Sequence, residues 1–308
     1  MLLYPTSFMI QHSILPVDLR AWTQTLVKQL GLRAGRRLGQ HFLVNRGVLQ
    51  DIIRVAHPTS AVPVLEVGGG LGVLTLALLE QGVRVSVVEL DSHLAQALRK
   101  LAVVGSNLQV VEGDILKLSD YELQQSLGLA PGQTFDIVAN LPYEISGVFL
   151  RRFLSGVFRP RQMVLLLQRE VGERLVARPG QMSLLSLLAR LSATDLQLVR
   201  LVPASAFWPA PRVQSCLIKI KLRGQVEQAA LIDAKEAKQL WRLARLGFAA
   251  RRKLLLNNLS GGLHVPRDVI APILVKVGLK STARAQELSL EQWIALVREL
   301  ESRIENRE

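Results

Sequence analysis

One cysteine, Cys216, stands in 308 residues. That excludes a disulfide framework and any multi-cysteine zinc site, and it fits a reducing compartment. No uninterrupted apolar run approaches the ~20 residues that a bilayer-spanning helix needs, so no membrane partner is expected. The opening MLLYPTSFMI has neither a basic n-region nor a clear small-residue cleavage site, so no signal peptide is read there and a cytoplasmic location is expected. Internal repeats and low-complexity tracts are absent too. Acid is scarce: 25 Asp and Glu face 38 Lys and Arg, a net charge of +13 with a pI near 10.5. An excess of that size points to a polyanionic partner, nucleic acid first among them. Apolar side chains, by contrast, are plentiful at 49%. They suffice for a real core, and the length exceeds the ~150 residues taken as the prior for one domain.

Residues up to about Gly35 read as an extension carrying one amphipathic helix around Leu19 to Leu30. Beyond it, β-rich runs alternate with helix-length segments: PVLEVG, VRVSVVEL, LQVVEG, FDIVAN, QMVLLLQ, DLQLVRLV and SCLIKIKL. Seven such runs separated mostly by helices predict an α/β domain over 36–223, with a largely parallel sheet covered on both faces. The last run, Ser215 to Leu222, alternates apolar and basic residues, which predicts a half-exposed antiparallel strand near an edge. From about Gly224 the periodicity is helical, ending in SLEQWIALVRELESRI with Ser289 as a cap, so a small all-α domain is expected over 224–308.

The chemistry begins where PVLEV runs into Gly68, Gly69, Gly70, Leu71 and Gly72. A glycine-rich turn at the carboxyl end of the first strand is a ligand site in doubly wound sheets. A dinucleotide fingerprint starting at Gly68 needs a small residue at position 73, and Val73 stands there, which weakens an NAD reading. What fits is acid-x-Gly-x-Gly-x-Gly, with Glu66, Gly68, Gly70 and Gly72, the first motif of class I methyltransferases. The glycines let the backbone approach the methionine part of S-adenosylmethionine, and an acid nearby suits its ammonium. A plain strand-to-helix turn is the competing reading. Roughly twenty residues on, Glu89 ends the next strand where a carboxylate accepts from ribose hydroxyls. Asp91 is better read as a helix cap. In EGDIL, Asp114 is placed to accept the adenine amine while Ile115 packs on the ring. No metal site is read.

The fourth strand leads into Asn140, Leu141, Pro142 and Tyr143, which match the Asn/Asp-Pro-Pro-Tyr/Phe type of motif in amino methyltransferases acting on nucleobases. Adenine's amine is a poor nucleophile because its lone pair is delocalised into the ring. The Asn140 side-chain oxygen and the Leu141 carbonyl can take its two protons and aim the lone pair at a sulfonium methyl. Pro142 stiffens the loop, and Tyr143 offers a face worth about 1–3 kcal/mol to an unstacked base. Taken alone, the tetrapeptide also reads as an Asx-type turn with a packed aromatic.

With these residues in place, the sequence resembles the KsgA-type small-subunit ribosomal RNA adenine dimethyltransferases, relatives of the erythromycin-resistance methyltransferases. The likeness runs from about Arg36 to the C-terminus through LGQHFLVN, LEVGGGLG, VVELD, EGDIL, NLPYEIS, QREVGERLVARPG, FWPAPRVQS, RRKLLLNNL and RAQELSLEQW. The resemblance implies a Rossmann-like class I methyltransferase domain and a helical C-terminal domain. It also implies two methyls on each of two adjacent adenines near the small-subunit RNA 3′ end. By motif it implies cofactor contacts at His41, Leu43, Gly68, Glu89, Asp114 and Asn140. Departures stand at His41, where the family usually has Asn, and at Gly69, where Pro is common. Ala210 and Gln214 in FWPAPRVQS replace a proline and an acid.

The expected partner is small-subunit rRNA or a pre-ribosomal particle, bound by a monomer. Arg36 and Arg37, then Arg151 and Arg152, place guanidinium groups around the presumed mouth, and Arg251, Arg252 and Lys253 form a compact basic run in the helical domain. A solvated helix face is the bland reading of each. Phe207 is expected to stack on the flipped base opposite Tyr143, with core packing its rival. Two other functions stay open at this point: large-subunit methylation of the resistance type, against which Leu141 argues mildly, and a non-catalytic RNA-binding assembly factor.

Overall fold

A computed structural model describes residues 9–10, 13–32, 40–101 and 107–305. The chain divides into two compact units, Met1–Gly172 with Asp195–Leu222, and Glu173–Thr194 with Arg223–Glu308. This differs from the expected single boundary near Gly224, because Glu173–Thr194 belongs with the helical residues.

The first unit opens with an antiparallel pair, β1 (Met9–Ile10) and β2 (Ser13–Pro16), and then α1 (Leu19–Gln29). Asp18 caps α1 by accepting from the Arg20 and Ala21 amides, so the helix starts where its orphan donors are met. Leu19, Trp22, Leu26 and Val27 of α1 are buried in the core of this unit, so the extension is part of the domain rather than an appendage. After β3 (Phe42–Leu43) and α2 (Arg46–Ala56) come β4 (Val64–Val67), α3 (Val73–Leu79), β5 (Val85–Glu89) and α4 (Ser92–Leu101). They are followed by β6 (Leu108–Glu112), α5 (Asp120–Leu127), β7 (Asp136–Asn140), α6 (Ser146–Ser155), β8 (Gln162–Gln168) and the start of α7 (Arg169–Leu175). Strands β9 (Ala193–Val202), β10 (Phe207–Trp208) and β11 (Ser215–Leu222) complete the unit.

The main sheet has seven strands in the order β6-β5-β4-β7-β8-β11-β9. Strands β6, β5, β4, β7 and β8 pair in parallel, and β11 runs antiparallel to β8. Both faces of β4 and β5 are buried, which is why they read as unbroken apolar runs. Strand β11 was expected to be half exposed. It is buried except at Lys219 and Lys221, because it sits inside the sheet with β9 outside it. The chain builds outward from β4 through β5 to β6, then returns to place β7 on the other side of β4. That reversal opens a crevice at the carboxyl ends of β4 and β7.

The second unit contains α8 (Leu184–Ser192), α9 (Gln225–Leu231), α10 (Ala234–Gly247), α11 (Leu255–Leu263), α12 (Arg267–Lys276) and α13 (Leu290–Glu305). Its core gathers Leu240, Leu243, Ile270, Leu274 and Trp293 with Met182, Leu187 and Leu191. The apolar stripe of α8 thus completes the helical core, which explains why Glu173–Thr194 leaves the sheet unit. Ser289 caps α13 as expected, and Gln292 returns the bond to the Ser289 amide. Among the described residues no helix is long and apolar enough to cross a membrane.

Candidate active site

The crevice is lined by Gln40 to Leu43, by the turn after β4, by Glu89 to Asp91 after β5, by Gly113 to Ile115 after β6 and by Asn140 to Ile145 after β7. Every strand end singled out in the sequence therefore opens into one place. The turn needs its glycines: Gly68 and Gly70 have φ of +72° and +56°, where L side chains are strained. Gly68 also lies against the loop after β7, since a Cβ there would meet the Pro142 ring at 3.3 Å. At Gly69 an added Cβ would come within 2.5 Å of Val87 Cγ1, so the volume of a larger residue is already filled.

The Gly70 amide donates to Glu89 Oε2 at 2.9 Å and the Asp91 amide to Oε1 at 3.0 Å, which fixes the carboxylate at the strand end. Burial raises the Glu89 pKa, and these bonds oppose the rise. Asp91 accepts from the His93 and Leu94 amides, the helix-cap role read for it. Asp114 Oδ1 accepts from the Leu116 amide at 2.9 Å and Ile115 is buried beside it. Glu66 is 1% exposed and its Oε2 accepts a hydrogen bond from the Thr75 hydroxyl at 2.7 Å. Desolvation, with the neighbouring Glu89 charge, pushes its pKa up to about 8.

The Asn140 amide nitrogen donates to the His41 main-chain oxygen at 3.2 Å. A carbonyl can only accept, so the amide nitrogen faces His41 and Oδ1 is left without a hydrogen bond among the described residues. The His41 ring donates from Nδ1 to the Pro209 carbonyl at 2.7 Å and lies 5.8 Å from the Tyr143 ring. Tyr143 Oη shares a 2.7 Å hydrogen bond with Ser215 Oγ, and burial raises the phenol pKa. Asn140, Tyr143 and His41 are thus held as one constellation by groups from four separate segments.

The ribosomal RNA adenine dimethylase family matches residues 31–302. A ribosomal RNA small subunit methyltransferase A from Dehalococcoides mccartyi is 38% identical over 276 residues, covering 90% of this chain and 91% of that one. This chain belongs to the ribosomal RNA adenine dimethylase family. A dimethyladenosine transferase from Plasmodium falciparum superposes with a TM-score of 0.70 at 26% identity, over 85% of this chain and 98% of that one. The 23S rRNA methyltransferase ErmE gives 0.68 at 23% identity, over 84% and 99%, and shares the fold.

A dimethylase of this class draws on S-adenosylmethionine, and the crevice suits it. Glu89 retains lone pairs for a ribose diol, Asp114 and Ile115 offer an acceptor and an apolar face to adenine, and the glycine turn leaves room for the methionine end. Leu43 lines the same crevice from β3.

Other expectations meet corrections. Phe207 is 1% exposed, because β10 pairs with β3 and sets Phe207 opposite Leu43; it belongs to the core and presents no face to a base. Arg152 turns inward to the loop after β6 instead of offering its guanidinium to RNA. Arg151 is exposed, and so are Arg251, Arg252 and Lys253 in the second unit. Arg36 and Arg37 fall outside the described residues. Sequence reasoning passed over Leu90, an apolar residue 59% exposed at the crevice between Glu89 and Asp91. The signal was there: a large apolar residue between two strand-end acids has no core to enter. Thr75 and Ser215 were missed as well: the partner of Ser215 is 72 residues away, and Thr75 meets Glu66 only once β4 and α3 are packed together.

Proposed function

We propose that this chain transfers methyl groups from S-adenosylmethionine to the exocyclic amine of adenine in small-subunit ribosomal RNA, dimethylating two adjacent adenines near the 3′ end during ribosome assembly in the cytoplasm. The cofactor supplies an electrophilic methyl on a sulfonium. Family membership supports the reaction. The observation that carries the site assignment is the Asn140 amide, turned by the His41 carbonyl so that its oxygen serves the crevice. Beside it, the Leu141 carbonyl has no hydrogen bond among the described residues. Two acceptors on adjacent residues that line the crevice suit the two protons of an adenine amine. Taking both draws the nitrogen toward tetrahedral geometry and frees its lone pair to attack.

Tyr143, clamped through its hydroxyl, presents a fixed ring to the base, which must be single-stranded or flipped to arrive there. Glu89 and Asp114 hold the ribose and adenine ends, and Glu66 stands by the methionine end. Arg151 and the run Arg251 to Lys253 are assigned to phosphates, consistent with their exposure and the +13 charge. The protein is read as acting as a monomer.

The test is transfer of label from S-adenosylmethionine to immature small-subunit particles, with the modified nucleotide mapped by mass spectrometry. Label confined to large-subunit RNA would replace this reading with the resistance-type activity. RNA binding without product would leave an assembly factor.

A further inference from the structure

The loop 113–119 between β6 and α5 carries Asp114 and Ile115, and it is shaped from within by short-range bonds. The Leu116 amide donates to Asp114 Oδ1 at 2.9 Å, and the Lys117 and Leu118 amides donate to the Asp114 carbonyl at 2.8 and 3.1 Å. Such turns set a loop's local form but do not fix its place against the rest of the crevice. That is done at its start by the Gly113 amide, which donates to the Glu89 carbonyl at 2.9 Å, and further along by Arg152 from α6, the helix that follows the Asn140 to Tyr143 motif after one short 3-10 turn. Its Nη1 donates to the Ile115 carbonyl, and its Nη2 to the Leu118 carbonyl at 2.6 Å and to Asp120 Oδ1 at 2.9 Å. The guanidinium side chain is 20% exposed, so most of it has left water for these partners.

Resting on the reading above, we propose that Arg152 is a positioning residue for the adenine end of the cofactor: it fastens the Asp114–Ile115 loop to the helix that follows the target-base motif. The residue type follows from the geometry. Two carbonyls and a carboxylate in different directions need a planar fork with several donors, and a lysine ammonium on a flexible stem cannot hold all three at fixed angles. The bond to the Ile115 carbonyl matters most, because it acts on the residue that meets the purine ring. Through Arg152 the adenine subsite and the acceptor pair at Asn140 ride on one frame, so a cofactor seated at one end is in register with a base seated at the other. An arginine turned to RNA phosphate would leave these carbonyls to water and would tie nothing together.

The experiment is calorimetric titration of S-adenosylhomocysteine into the full-length wild type, Arg152→Ala and Arg152→Lys, with steady-state assays on small-subunit particles. Losing hydrogen bonds from a charged donor corresponds to about a tenfold change in affinity. Arg152→Ala is expected to raise the dissociation constant and the cofactor KM about tenfold or more and to lower kcat at saturating cofactor, because the register with the base is loosened, while the KM for RNA stays near wild type. Arg152→Lys is expected to fall between. Should Arg152→Ala fail to fold, Arg152→Lys, which keeps the stem and a donor, carries the test alone. A dissociation constant unchanged in a folded variant overturns the proposal, and so does a rise confined to the KM for RNA. Wild-type protein that binds no S-adenosylhomocysteine overturns the parent reading as well, so the two failures are told apart.

Discussion

The side-chain nitrogen of Asn140 and the main-chain oxygen of His41 meet at 3.2 Å, although 99 residues separate them in the chain. One hydrogen bond thereby decides which end of an amide faces the crevice. Asn140→Ala removes the acceptor and is expected to lower kcat by about 10²-fold, the usual scale for one preorganised polar group. Asn140→Asp is expected to lose a similar amount despite keeping oxygens, because a carboxylate cannot donate to the His41 carbonyl and would be turned from it. Circular dichroism should show both variants folded. Wild-type rates in Asn140→Asp would mean that this bond does not orient the catalytic group.

The aromatic residues separate by role. Tyr143→Ala is expected to cost about 1–3 kcal/mol in kcat/KM for RNA, the value of one stacked base. Tyr143→Phe keeps the ring, loses only the Ser215 bond, and should retain most activity. Phe207→Ala is expected instead to lower stability by about 3–5 kcal/mol, as a large core truncation does. Chemical denaturation beside the kinetic assay distinguishes the two residues.

Much of this site was legible in the sequence, for a definite reason. A parallel strand buried on both faces advertises itself as an apolar run, and its carboxyl end is where ligands bind, so Gly68, Glu89 and Asn140 could be placed before any coordinates, and Asp114 by its turn in the same series of strand ends. What could not be read were contacts set by long-range register. Phe207 sits in a two-residue ribbon whose existence depends on β3 arriving beside it. Arg152 looks like any surface arginine until the loop after β6 is folded against α6. The membership of Glu173–Thr194 in the helical unit was hidden likewise, since an amphipathic helix shows that it needs a core but not which one.

Glu66 makes cofactor-free stability depend on pH. Its carboxyl is raised from 4.5 to about 8 by burial, so between those values the folded state holds a proton that the unfolded state has released. Stability therefore falls as pH rises from about 4.5 through about 8. Thermal midpoints from pH 5 to 9 should decline more steeply in the wild type than in Glu66→Gln, where nothing titrates. An ammonium placed beside Glu66 favours the charged form, so cofactor binding near neutrality should release a proton. Calorimetry in buffers of different ionisation enthalpy measures it, and an unchanged heat would remove Glu66 from the methionine end.

At the opposite end of β7, Asp136 accepts from Arg161 Nε and Nη2 at 3.0 and 2.7 Å and from Gln162 Nε2 at 2.8 Å. Asp136 is buried but keeps its Gln162 bond, and Arg161 is 43% exposed, so Arg161→Ala is expected to cost about 1–3 kcal/mol. Denaturant titration should show that loss with cofactor affinity of the folded protein unchanged.

Replacing Arg251, Arg252 and Lys253 together with Ala should flatten the salt dependence of RNA binding. Each lost phosphate contact reduces the slope of log K against log salt by roughly 0.7–0.9. An unaltered slope would mean that these side chains are only solvated.

Strands β4 and β7 lie side by side, yet the chain visits β5 and β6 between them. The donor turn and the acceptor motif are accordingly neighbours by architecture rather than by proximity in the gene. Extra residues spliced into the intervening turns, such as the one at Ala130 to Gln133, would lengthen the detour while leaving its two banks in place. Evolution can therefore lengthen turns away from the crevice freely, but a change at Gly68 or Pro142 disturbs both partners of the reaction at once.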